Sequence, residues 1–295
     1  MTHRRDTTER GPSGPFFAPA WDLGRLILEP VRRPLVMGIV NLTPDSFYPA
    51  SRREGPLAAV AYALDLIAQG ADVLDLGAES SRPGAAPVSA AEEQDRLLPV
   101  LSALRAETDR PLTVDTVRAE TAGLALEAGA DAVNDISGAA DPAMFPLAAE
   151  RDCGLILMHM QGTPGDMQDA PAYTDVVSEV AAWLDARCAA AVAAGVKRAR
   201  LVVDPGLGFG KTLNHNLALL NRLDTVADGR PLLLGASRKS FISHLTGAPV
   251  DDRLPGSLAA LARAWHTGST LVRVHDVAAS VQFLDVLGAV AAENP

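Results

Sequence analysis

The chain has 295 residues, 48% hydrophobic and 21% charged, enough to bury a large core in one domain or two small ones. A net charge of -10 with no clustered run of Lys and Arg argues against a nucleic-acid surface. Two cysteines, Cys153 and Cys188, exclude a disulfide framework or a Cys/His zinc site and suit a reducing cytoplasm, and no apolar run approaches the roughly 18 residues of a membrane span.

Residues 1–16 carry Arg4, Arg5, Asp6, Glu9 and Arg10 among Pro and Gly; they lack the apolar segment of a secretory signal and are expected to be disordered. Leu23 to Glu29 is expected to form a small hairpin across the bottom of the domain. Short apolar runs then recur at Val36 to Val40, Val73 to Leu76, Leu112 to Val114, Ala132 to Asn134, Leu155 to Met158, Leu201 to Val203, Leu232 to Leu234 and Leu271 to Val274. Between them lie stretches with helical spacing, such as Leu57 to Gln69, Ala90 to Glu107, Ala119 to Ala128 and Thr174 to Ala194, with Ser89 and Asp141 as capping residues. Continuous apolar strands imply burial on both faces, and regular strand–helix alternation implies a parallel sheet. Eight such units predict an α/β fold, a (β/α)8 TIM barrel forming one domain over 17–295.

In such a barrel, chemistry gathers at the C-terminal ends of the strands. Every predicted strand ends in polar groups: Asn41 to Ser46, Glu79 to Arg82, Asp115-Thr116, Asn134-Asp135, His159, Asp204, Ser237 to Ser240, and Arg273 to Asp276. Any one of these has a plain alternative as a helix cap or a turn residue. Together they predict a site for a polar, partly anionic ligand, because carboxylates are costly to bury unless paired. Gly206-Leu207-Gly208-Phe209-Gly210-Lys211-Thr212 imitates a nucleotide phosphate loop, but Pro205 stands where that pattern requires Gly. The turn is expected to bring backbone and the Phe209 ring close to a planar ligand, or else to be purely structural.

Eight ordered strings, MGIVNLTPDSF, GADVLDLGAESSRPGA, VDT, VNDISG, LMHMQGTP, DPGLGFGKTLNHN, GASRKSFI and VRVHDV, resemble the dihydropteroate synthase family from about Pro34 to Ala292. The resemblance implies condensation of 6-hydroxymethyl-7,8-dihydropterin diphosphate with p-aminobenzoate in folate biosynthesis, assisted by Mg2+, in a cytoplasmic homodimer. It assigns Asp115, Asn134, Ile136, Met158, Asp204, Phe209 and Lys239 to the pterin, and Asn41, Ser81, Arg82, Arg273 and His275 to the diphosphate. Asn41 also contacts the metal on this reading. Phe47, Pro83, Lys239 and Ser240 fall to p-aminobenzoate, and Lys239, Asp115 and Arg82 to catalysis.

The chain departs from the family pattern after Phe47, where Tyr48-Pro49-Ala50 replaces a small residue, an Asp and Gly. Pro49 thereby leaves open a non-catalytic pterin-binding relative, and Tyr48 an altered response to sulfonamides. A corrinoid-dependent methyltransferase is another pterin-binding barrel, against which the Ser237 to Ser240 block argues, and a barrel with no ligand is hard to reconcile with the ring of polar strand ends.

Overall fold

The computed structural model describes residues 16–43, 55–79 and 88–293. The expectations placed on 1–15, on Phe47 to Pro49 and on Ser81 to Pro83 lie outside those residues. Phe16, placed in the unstructured terminus by the sequence, sets its ring 5.9 Å from that of Trp265.

Two short antiparallel strands, β1 (Trp21–Asp22) and β2 (Ile27–Leu28), form the N-terminal hairpin. Eight parallel strands follow: β3 (Leu35–Asn41), β4 (Val73–Gly77), β5 (Leu112–Asp115), β6 (Ala132–Asp135), β7 (Gly154–Met158), β8 (Leu201–Asp204), β9 (Leu233–Leu234) and β10 (Leu271–Val274). They lie in the order β8-β7-β6-β5-β4-β3-β10-β9, and a parallel bridge between Val203 and Leu232 joins the two ends into a barrel. Outside run α1 (Gly55–Ala68), α2 (Ala90–Glu107), α3 (Ala119–Glu127), α4 (Met144–Arg151) and α5 (Val176–Ala193). The ring of helices continues with α6 (Leu213–Asn221), α7 (Leu223–Ala227), α8 (Ser240–Thr246), α9 (Leu254–Thr267) and α10 (Val277–Ala292). None of the described helices is long and apolar enough to cross a membrane.

The helix starts follow local chemistry. Ser89 caps α2 by accepting from the Glu92 N–H at 3.2 Å. Asp141 is not the N-cap of α4, which is Ala143. Its carboxylate instead divides between the Ala143 N–H and the Ala119 N–H at the start of α3, each at 2.9 Å. One carboxylate thus ties the beginnings of two adjacent helices, a role that its position in sequence did not reveal.

Side chains alternate across each strand, so the inward residues form layers. The bottom layer is apolar: Met37, Val73, Ala132, Ile156, Val202, Leu233 and Leu271 pack with Trp21 and Leu23 of the hairpin. Trp21 is fully buried and donates its indole N–H to the Arg200 carbonyl at 2.8 Å. Trp21→Ala is expected to remove about 3–5 kcal/mol of stability. It should leave pterin affinity unchanged, since the plug sits at the end of the barrel away from the strand termini. A chemical-denaturation midpoint shifted by less than about 1 kcal/mol would show that the hairpin is dispensable.

Candidate functional site

Two residues further along β4, β6, β8 and β10, the interior turns polar. Val73 gives way to Asp75, Ala132 to Asn134, Val202 to Asp204 and Leu271 to Arg273, while Met37 is followed by Ile39, Ile156 by Met158 and Leu233 by Gly235, so the polar groups come from four of the strands. Strand alternation therefore sets a ring of charges directly on the apolar floor.

Arg273 is the centre of this ring. Its Nε donates to Asp75 at 2.6 Å and a terminal nitrogen donates to Asp115 at 2.9 Å. Asn134 donates to the same Asp75 oxygen at 3.1 Å, and Thr113 donates to the other at 2.5 Å. Burial works against the Arg273 charge, yet Asp75 and Asp115 outweigh it and hold the guanidinium above its ordinary value. Burial pushes Asp115 up to about 7; Arg273 opposes the shift, and the charges of Asp75, Asp135 and Glu93 add to it. Asp75 was not singled out from the sequence. The only signal available was a carboxylate inside an otherwise apolar strand, Val73-Leu74-Asp75-Leu76.

Across the mouth, Asp204 is buried, which raises its carboxyl above the usual range, while an accepted hydrogen bond from the Gly206 N–H at 2.7 Å pulls the other way. Lys239 lies 4.0 Å above the centre of the Phe209 ring, and burial lowers its ammonium to about 8 against the favourable charge of Asp204. The turn that aims Lys239 is contorted. Arg238 has φ +56, held by a two-pronged pair with Asp276 at 2.6 and 3.0 Å and by its N–H on Ser257 at 2.9 Å. Ser240, next in sequence, is exposed at the start of α8.

The apolar wall of the mouth brings together Met158, Phe209 and Ile136, with Met160 and Met167, which were not singled out from the sequence. Phe209 is carried by the glycine-rich turn, several of whose N–H groups are already used: Gly206 donates to Asp204 and Gly208 to Asn216, each at 2.7 Å, and Phe209 to the Gly206 carbonyl at 3.1 Å. A phosphate loop leaves its N–H groups free for the ligand, so this turn is no such loop. A Cβ on Gly206, at φ +66, would sit 1.9 Å from the His159 carbonyl oxygen, which restricts the position to glycine. Lys211, also missed as a site residue, anchors the turn from beneath. It is buried and donates to the Phe209 and His159 carbonyls at 2.9 and 3.3 Å, and its nitrogen lies 3.0 Å from His159 Nδ1. Burial, then the Lys211 charge, pushes His159 down to about 3, so its Nδ1 accepts rather than donates.

His275 follows β10. Burial and the neighbouring Arg273 and Arg238 charges push it down to about 4, so it is neutral at pH 7. The Ser237 hydroxyl accepts from the His275 backbone N–H at 3.2 Å and lies 3.0 Å from Nδ1. In the tautomer in which the hydroxyl donates to Nδ1, the ring proton stands on Nε2 and is available to a ligand. Asn41 ends β3, half-buried, beside Gly77 of β4. Arg273, Asp115 and Asn134 thus meet around Asp75, and Lys239, Phe209 and Met158 meet around the glycine turn. Phe47, Ser81, Arg82 and Pro83 lie outside the described residues.

A family model described as pterin binding enzyme matches residues 37–275. The dihydropteroate synthase of Synechocystis sp. is 41% identical over 277 residues, covering 93% of this chain and 96% of that one. The structure of Xanthomonas albilineans dihydropteroate synthase with 4-aminobenzoic acid matches with a TM-score of 0.87 and 44% identity, over 94% of this chain and 100% of that one. The same organism's enzyme in complex with 7,8-dihydropteroate matches with a TM-score of 0.84 and 41% identity, again over 94% and 100%.

Proposed function

The chain belongs to the pterin-binding enzymes and, among them, to the dihydropteroate synthases, and from that premise we propose how its barrel mouth joins a dihydropterin diphosphate to p-aminobenzoate. The reaction is a group transfer in folate biosynthesis, with diphosphate as the leaving group. One observation carries the assignment of residues: a ring of buried acids, an amide and two cations stands on an apolar floor beside an aromatic wall.

A reduced pterin presents donors on one edge and acceptors on the other. Asp204, with Asn134 and Asp115, takes the donor edge; Lys239 serves the acceptor edge, its ammonium over Phe209. A ligand missing one of these groups leaves a buried partner unpaired, which makes the pocket selective. Arg273 and the Nε2–H of His275 take diphosphate oxygens, and neutralising that charge eases departure of the leaving group. The aniline nitrogen of p-aminobenzoate then bonds to the pterin methylene carbon, the C–O bond to diphosphate having broken, and the aniline proton is released. Phe47, Pro83, Lys239 and Ser240 are assigned to the p-aminobenzoate side, and Ser81 and Arg82 to the diphosphate and its departure.

No group of three or more His, Cys, Asp or Glu side chains converges as a metal cage among the described residues. Asn41 offers a single hard oxygen, a donor set that fits Mg2+ carried mainly by phosphate oxygens and water. When bound there, the ion would neutralise charge on the departing diphosphate. The same proposal includes a reducing, cytoplasmic setting, which the buried free thiols of Cys153 and Cys188 suit. It also includes a homodimer, for which Val286 and Val290, exposed one turn apart on α10, offer an apolar face; a monomer mass in sedimentation would remove that part.

The test is diphosphate release from purified protein given dihydropterin diphosphate and Mg2+, with and without p-aminobenzoate. Release that depends on p-aminobenzoate and yields dihydropteroate is the expected result. Pterin binding without coupled product would favour the non-catalytic reading that Pro49 leaves open.

A further inference from the structure

We propose that Asp75 is a positioning residue for the reaction, holding the pterin ligand Asn134 and the diphosphate ligand Arg273 on a single carboxylate. It touches no substrate group in this arrangement and acts through its neighbours. The proposal rests on the assignment of Asn134 and Arg273 to the pterin diphosphate.

The case begins with cost. Asp75 is fully buried in the middle of β4, one layer above Val73, where packing alone would favour an apolar side chain. Every side-chain partner it has is a donor. Oδ1 accepts from Thr113, while Oδ2 accepts from both Asn134 at 3.1 Å and Arg273 Nε at 2.6 Å. Two groups from strands far apart in sequence, assigned to the two halves of one substrate, therefore share one oxygen atom. That oxygen fixes their separation and takes up the Nε side of the guanidinium fork. Asp115 holds the other limb of Arg273 at 2.9 Å, so the guanidinium stands balanced between two carboxylates.

The same balance governs the proton affinity of Asp115. The charged groups acting on it are Arg273 from β10, Asp75 from β4, Asp135 from β6, Glu93 from α2 and Lys239 from the turn before α8. Asp75 is a negative neighbour that shares the Arg273 cation with it. Removing the Asp75 charge takes away a repulsion and leaves the whole of Arg273 to Asp115; both changes favour the ionised Asp115.

Asp75→Asn separates charge from shape. The amide nitrogen can donate to the Thr113 hydroxyl while the amide oxygen still faces Asn134 and Arg273, but a guanidinium offered a neutral amide and a carboxylate shifts toward the carboxylate. The KM for dihydropterin diphosphate is expected to rise about tenfold or more, while that for p-aminobenzoate stays within about twofold. The acid limb of the kcat/KM profile for the pterin substrate should move to lower pH. Thr113→Val, which frees only Oδ1 and keeps the Asp75 charge, should raise the pterin KM by less and leave the acid limb in place, and its KM carries the test if the Asn variant does not fold. An unchanged pterin KM with an unmoved acid limb overturns the proposal. So does a rise in both KM values with no movement of the acid limb and a lower Tm, which would make Asp75 merely structural. Arg273→Gln run alongside distinguishes the failures: if it too leaves the pterin KM unchanged, the assignment of the site fails; if it raises that KM while Asp75→Asn does not, only the role of Asp75 fails.

Discussion

Lys239→Ala is expected to lower kcat/KM roughly a thousandfold while the protein stays folded. The side chain is the cation assigned to the acceptor edge of the pterin, and its ammonium stands over Phe209 on the contorted Arg238 turn. Stability should not fall with it. The folded pocket holds the Lys239 proton less tightly than the unfolded chain does, with a value of about 8 against an ordinary 10.5. The charged ammonium therefore costs stability at neutral pH, and that cost fades as pH rises from about 8 to 10.5. A Tm unchanged or slightly raised is the expected companion of lost turnover. In the wild type, kcat/KM should decline as pH rises through about 8, where the ammonium charge is lost. Retention of a near-normal rate by the Ala variant would mean that the substrate does not sit over this lysine.

Asp204→Asn should cost about a hundredfold or more in affinity for the pterin substrate, measured by calorimetry with a non-reactive pterin. The substitution is nearly isosteric, and the amide oxygen can keep the bond from the Gly206 N–H that supports the glycine turn. The altered atom is the second oxygen, which becomes an NH2 group opposed to the donor edge of the pterin. Donor then meets donor in a buried site. The loss should appear in the pterin rather than in p-aminobenzoate, and equal losses for both substrates would point to collapse of the turn.

The strands were legible because barrel strands buried on both faces are nearly pure apolar runs, and their polar ends were legible because the chain turns abruptly from Val or Leu to Asp, Asn or Arg. Pairing across the barrel was not. Arg273 meets Asp75 and Asp115 from 198 and 158 residues away, a relation created by sheet order and register alone. Asp75 escaped notice because one acid within an apolar strand carries no directional sign until the inward layer is known. Lys211 drew attention only as a counterfeit of a nucleotide loop; its actual task depends on the carbonyl of His159, which another strand delivers. Asp141 misled in a smaller way, since the helix it serves besides its own lies earlier in the chain.

The hairpin that seals the barrel floor also dictates when the molecule can be finished during synthesis. Trp21 emerges early, yet its indole awaits the Arg200 carbonyl, and the Pro19 carbonyl awaits the Thr270 hydroxyl, 251 residues later. Closure of such distant contacts is slow, because the chain entropy must be surrendered before the contacts form. While the ribosome is still extending the chain, Trp21 and Leu23 have no floor to enter. Trp21 and Leu23 thus wait without their native partners until strand β10 has been made.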